Sequence, residues 1–220
     1  MTTLTVADDV RAAFDQLHIA AVTVDGLDNT GPWPDVEARL ATIERDPAEF
    51  GDDDPRIASW HAAYRRFGTN PRRQRPSVDA LTRRLARSGH LPRISPFVDC
   101  YNLVSVTHVV PAGAFDLDTV DGDIVVRFAE PGDAFTPLGE PDNVEEPHDG
   151  EVVYADASGV LTRHWNHRDA DRSKVTPTSR RVLVVLEAIE AAHHAAVDAA
   201  AEDLATLLAP HAKAIITEIV

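Results

Sequence analysis

One cysteine, Cys100, is the only thiol in the 220-residue chain. A single thiol excludes an intrachain disulfide and cannot by itself build a cysteine zinc site, so Cys100 reads as a small buried hydrophobe. No apolar run approaches the roughly 18 residues a membrane span needs. The N-terminal stretch MTTLTVADDV has neither the basic start nor the apolar core of a secretory signal, so a cytoplasmic protein without membrane contact is expected. Also missing are a GxSxG elbow, a glycine-rich dinucleotide fingerprint and a P-loop, which weakens serine-hydrolase, dinucleotide-dependent and NTPase readings. With no internal repeat and no flexible linker, residues 1–220 read as one continuous α+β domain.

A hydrophobic content of 44% beside 26% charged residues is that of a soluble globular chain. The formal charge of −15 looks unfavourable for nucleic acid, because phosphate contacts need Lys and Arg. Placement matters more than the sum. Between Tyr64 and Ile94 stand nine arginines and one acid, Asp79, and residues 163–181 hold six basic residues against Asp169 and Asp171. Those two stretches contain 15 of the 21 basic residues, so the sequence describes an acidic body carrying two basic segments. They can converge into one patch, or serve as solvated faces paired to the acidic body.

Periodicity places the elements. DDVRAAFDQLH reads as a helix and IAAVTVDGL as a strand ending at Asp28-Asn29. Val36, Leu40 and Ile43 recur at helical spacing in PDVEARLATIERD, and a third helix runs from about Pro55 to Phe67. Ser77 is placed to cap VDALTRRLARSG, which Gly89 closes. FVDCYNLVSVTHVV mixes β-branched residues with a helical stripe and is assigned to helix. From Asp118 onward the signals are strands: GDIVVRFA, a long loop, and EVVYADASGVLTRHW as a hairpin turning at Ala157-Ser158-Gly159. Thr176-Pro177 reads as the start of a long Ala-rich C-terminal helix that can run to Ala209, with HAKAIITEIV as a docking or dimerising segment.

Chemistry concentrates in RHWNHRDADRSKVTP, residues 163–177. His164 and His167 have HxxH spacing, with His108 and His148 as further candidates. If the strand continued through them, the pair would point to opposite faces, so no metal and no cofactor is expected. Trp165 offers a flat face, Asn166 a donor and an acceptor, and Asp169 and Asp171 lie among Arg168, Arg172 and Lys174 as a charge network. Tyr154 and Asp156 sit on the preceding hairpin, and Thr136, Pro137, Leu138 and Gly139 form a turn.

The ordered set RPSVDALTRRLARSGHLPRISPFVDCYNLVSV, DGDIVVRFA, FTPLGE, GEVVYAD and VLTRHWNHRDADRSKVT resembles the B3/B4 domain family. That family comprises the editing module of the bacterial phenylalanyl-tRNA synthetase beta subunit and free-standing proteins. The resemblance implies a single B3/B4-like domain with a mixed or antiparallel sheet flanked by helices. Its core would cover about 75–195, with a helix-strand extension at 1–74 and a helical tail at 196–220. It further implies a trans-acting aminoacyl-tRNA deacylase in which a positioned water cleaves an already reactive ester, so that no triad or metal is required. The partners would be tRNA or aminoacyl-tRNA and an amino acid, the protein itself a monomer or homodimer. By the same resemblance Asn102, Asn166 and Arg168 would be catalytic, and Thr136, Pro137, Leu138, Gly139, Tyr154, Asp156 and Trp165 would line the substrate pocket. Arg72, Arg73, Arg75, Arg83, Arg84 and Arg87 would meet RNA phosphates. The synthetase continues from its VVYAD-like strand with a small-residue, glycine-rich segment, and here the bulky RHWNHRD stands in that place. Two other readings compete: a module of the same fold that binds amino acid or tRNA without catalysis, and a dimer built on the Ala-rich helix.

Overall fold

The computed structural model describes residues 2–47 and 53–220. Among these the chain runs β1 (Leu4–Val6), α1 (Asp8–Ala13), β2 (His18–Asp25), α2 (Pro34–Arg45), α3 (Pro55–Arg66), α4 (Ser77–Ser88) and α5 (Pro96–His108). It continues β3 (Ala112–Asp116), β4 (Ile124–Phe128), β5 (Val152–Asp156), β6 (Gly159–Arg163), β7 (Arg168–Asp169), β8 (Arg181–Ala188), α6 (His194–Leu208) and β9 (Ala214–Ile219).

Two sheets result. One has the order β1-β4-β5-β6-β7, the other β3-β8-β2-β9. Among the described residues only the β1–β4 pair is parallel, so the architecture is the expected mixed, largely antiparallel α+β fold. Strand periodicity assigns the two faces of the second sheet. Ala20, Val22 and Val24 of β2 and Val182, Val184 and Leu186 of β8 join one core with α2, α5 and α6. Ile19, Ala21, Leu183 and Val185 face the other way, into a core shared with α3 and the first sheet. Glu187 shares that second parity and is 1% exposed, a carboxylate carried into the space between the sheets.

Local chemistry explains the helices that were legible. Asp54 and Ser95 accept hydrogen bonds from Arg56 N and Val98 N at the starts of α3 and α5, each followed by Pro at the first helical position. Gly89 ends α4 in the left-handed region, φ 74°. The apolar stripe of α6, Val197, Ala200, Ala201, Leu204 and Leu208, packs into the chain's own core.

Four expectations are corrected. Ser77 does not cap α4: Pro76 holds that position, and the Ser77 hydroxyl points to Ala112 O at 3.4 Å. No helix begins at Thr176. Residues 176–179 form a turn, held by Thr176 N to Ser179 Oγ at 2.9 Å, and the chain then enters β8, because a β-branched run buried on both faces is a central strand. Strands β1 and β3 lie where no strand was read. The tail expected to be helical over 196–220 is helix only to Leu208 and then becomes β9, paired antiparallel to β2 from Ala20↔Ile219 to Asp25↔Ala214.

Candidate active site

Strand β6 does not continue through the HWNH residues. His164 and Trp165 both take left-handed backbone, φ 48° and 66°, and the chain reverses into β7, where Arg163 pairs with Arg168 and Thr162 with Asp169. Two successive non-glycine residues in that region are sparsely populated and persist only where surroundings hold them. Here Trp165 N donates to Val152 O at 2.6 Å, and the indole is fully buried against Phe14 (4.9 Å), Trp60 (5.3 Å) and Phe67 (6.0 Å). Its Nε1–H reaches Glu187 at 2.7 Å.

This turn closes a cavity of about 50 Å³ between the sheets, whose polar lining includes Ser77, Tyr154, Asn166, His167, Asp169 and Glu187. Glu187 is its fixed anchor. It accepts from Tyr154 Oη at 2.6 Å, Trp165 Nε1 at 2.7 Å and Asn166 Nδ2 at 3.0 Å, while Tyr64 Oη donates to Asn166 Oδ1 at 2.7 Å. Burial raises the Glu187 carboxyl although those three donors oppose it. Asp169 accepts one side-chain bond, from Thr162 Oγ1 at 2.9 Å, and burial lifts it to about 6. His167 donates Nδ1–H to Arg75 O at 2.8 Å, which leaves Nε2 as the acceptor, and burial lowers the ring's pKa. Two donors have capacity to spare. Asn166 has a second Nδ2 hydrogen, and the Ser77 hydroxyl is held only by the long bond to Ala112 O.

Beside the cavity, on the other side of the turn, Thr69 Oγ1 lies 2.9 Å from His164 Nδ1 and 3.1 Å from His148 Nε2. Glu151 Oε2 lies 3.4 Å and 3.6 Å from the same two nitrogens. Burial pushes the Glu151 carboxyl up, and Arg163 together with His164 more than reverses this, leaving it below the ordinary glutamate value. Burial also lowers His164 to about 4, so its ring is neutral near pH 7. The two basic stretches therefore meet: Ser77 N donates to Asn166 O at 3.0 Å, His167 to Arg75 O, and Thr69 touches His164.

Of the residues singled out from sequence, Asn166, Tyr154 and Trp165 line the cavity. Asn102 lies buried in α5 and is not among the lining residues. Asp156 forms a forked pair with Arg172 at the hairpin end, and Arg168 extends to Glu140 at 2.6 Å on the surface. The Thr136–Gly139 turn braces β7, with Leu138 N donating to Asp169 O at 3.0 Å and Gly139 N to Asp171 at 3.0 Å, and Leu138 is exposed. Arg72, Arg73, Arg84 and Arg87 are exposed, whereas Arg75 and Arg83 bond the buried Asp79 at 2.9 and 2.6 Å. Sequence reasoning missed Ser77 as a wall residue, together with Asp169, Glu187 and Thr69. For Glu187 a signal existed: a lone acid inside the apolar run RVLVVLEAI.

The model of the B3/4 domain matches residues 59–210, and the chain belongs to that family. Over 110 residues it is 38% identical to the phenylalanine–tRNA ligase beta subunit of Anaeromyxobacter dehalogenans, a match covering 50% of this chain and 13% of that protein. The same subunit from Nocardia farcinica is 39% identical over 101 residues, covering 46% of this chain and 12% of that protein. The chain thus spans about an eighth of the curated relatives it matches. A solved N-terminal fragment of the Pyrococcus horikoshii phenylalanyl-tRNA synthetase beta subunit shares the fold, with TM-score 0.50, 15% identity, and coverage of 99% of this chain and 50% of that one. No described helix is long and apolar enough to cross a membrane.

Proposed function

We propose that this chain hydrolyses the ester of a mischarged tRNA in trans, with the cavity under the Trp165 turn as the reaction chamber. The observation that carries the reading is Asp169: a carboxyl lifted to about 6 in a buried polar cavity, with two donors of spare capacity in the same walls. A general base is best poised near the working pH. The Asp169 carboxylate takes a proton from water as its oxygen attacks the ester carbonyl, and the second Asn166 hydrogen and the Ser77 hydroxyl receive the developing oxyanion. Collapse breaks the bond to the ribose oxygen, which leaves as the hydroxyl with the proton returned from Asp169, releasing the free amino acid. The exposed Arg72, Arg73, Arg84 and Arg87 meet the acceptor-stem phosphates, with Arg168 and the Thr136–Gly139 turn as further contacts of the substrate. The supports are membership of the B3/4 family and the convergence of the basic stretches on the cavity.

Incubating the protein with a panel of mischarged tRNAs tests this. Amino acid release above the spontaneous rate is expected from at least one of them, falling about 100-fold or more in Asp169→Asn. A second reading, binding without catalysis, is favoured by the volume: about 50 Å³ accommodates a water or two and not an aromatic side chain. Saturable tRNA binding with no release from any member of the panel would select it.

A further inference from the structure

We propose that Thr69, His148, Glu151 and His164 form a binding site for one divalent transition ion of the Zn²⁺ class, separate from the deacylation chamber. Three segments far apart in sequence supply the donors. They are the connector after α3, the turn before β5, and the left-handed turn between β6 and β7.

The arrangement differs from a nucleophile–imidazole–carboxylate relay. In a relay the hydroxyl and the carboxylate occupy opposite nitrogens of the ring. Here both face the same nitrogen of each ring: Nδ1 of His164 is 2.9 Å from Thr69 and 3.4 Å from Glu151, and Nε2 of His148 is 3.1 Å from Thr69 and 3.6 Å from Glu151. Thr69 Oγ1 and Glu151 Oε2 each face both rings, and the three His and Glu donor atoms lie within 4.8 Å of one another. A cation held at about 2.0–2.1 Å in a tetrahedron separates its ligands by about 3.4 Å, close to the 3.4 and 3.6 Å from Glu151 to the two rings. The tautomers suit it. His148 Nδ1 bonds Asp149 O at 2.9 Å and must carry the proton there, so its Nε2 lone pair points inward. The single Thr69 proton can serve only one of the two rings at a time.

Arg163 opposes the ion, because its guanidinium already forks onto Glu151 at 3.0 and 2.8 Å. Glu145 takes part of that charge at 2.7 Å, and the two imidazoles supply most of the affinity. Two nitrogens, a shared carboxylate and a hydroxyl select a Zn²⁺-like ion over Mg²⁺ or Ca²⁺, which prefer all-oxygen shells. Since His164 begins the strained turn, the ion also pins the segment that seats Trp165.

The test titrates chelator-treated full-length protein with Co²⁺, followed by its visible d–d bands, and with Zn²⁺ by calorimetry. One ion per chain is expected, binding tighter than about 10 µM, with the intense absorption of tetrahedral cobalt and a raised melting temperature. His148→Ala, whose ring is half exposed, should keep the far-UV circular dichroism of the parent and weaken binding at least about tenfold. His194→Ala, which disrupts the stacked His18–His194 pair elsewhere on the surface, should bind as the parent does. Absence of saturable cobalt binding, or binding that His148→Ala leaves unchanged, would overturn the proposal.

Discussion

Burial raises the Asp169 carboxyl from its ordinary 3.8 to about 6, and that shift has a signature in stability. The native state holds this proton more tightly than the unfolded chain does. Ionisation therefore costs the fold nothing at pH 3, increasingly more between pH 4 and 6, and its full amount above about 6, on the order of 2–3 kcal/mol. Asp169→Asn should accordingly be more stable than the parent at pH 7.5 by about 2 kcal/mol in denaturant melts, the gap closing by pH 4. A gap of constant size across that range would contradict a raised Asp169 carboxyl. The same residue shows what sequence could and could not convey. Asp169 was visible as part of a charge network with Arg168 and Arg172, yet the pairing of β6 with β7 turns it toward Thr162 and the cavity, and its cationic neighbours in sequence go instead to Glu140 and Asp156.

At the scale of elements, the glycine that closes α4 was legible and strand order was not. Gly89 illustrates the first. Its left-handed φ of 74° closes α4, and a Cβ placed there would meet nothing within 4 Å. Gly89→Ala should therefore cost about 1 kcal/mol from backbone strain alone, measured by chemical denaturation. A loss well above 2 kcal/mol would mean a steric conflict the structure does not contain. β8 illustrates the second. RVLVVLEA is apolar on both faces, and continuous apolar runs do not distinguish a buried helix from a central strand. The turn signal at Thr176-Pro177 is chemically sound but belongs to the turn that enters β8 and not to a helix cap. β9 was hidden for a related reason: its short apolar run becomes a strand only because the edge of β2 is there to pair with it.

Across the whole molecule the formal charge of −15 is offset locally. The connector and α4 present Arg72, Arg73, Arg84 and Arg87 to solvent, while Asp79 neutralises Arg75 and Arg83 from within. Two kinds of arginine follow from this. Replacing Arg84 and Arg87 with Ala should weaken tRNA binding and lower the magnitude of its salt slope by about 1 per lost phosphate contact, with the melting temperature unchanged. Arg75→Ala should instead lower thermal stability, because it removes one of the bonds holding the 2%-exposed Asp79 carboxylate that His61 also contacts at 3.0 Å. An unaltered salt slope in the Arg84/Arg87 variant would make those side chains ordinary surface charge.

By itself the sequence determined the α+β class, the helices α2, α3 and α5, the Gly89 end of α4, the β5–β6 hairpin and the family resemblance. Each of these is written in spacing along the chain, as periods of 3.6 or 2 and in residues with fixed backbone preferences. Tertiary structure alone decided which polar groups meet. Strand register set Glu187 and Asp169 toward one cavity, and the reversal at His164 and Trp165 brought Thr69, His148 and Glu151 together around a second point. Those contacts include Thr69–His164, 95 residues apart, and Tyr154–Glu187, 33 apart, and no local periodicity encodes a meeting that depends on how two sheets are ordered and stacked.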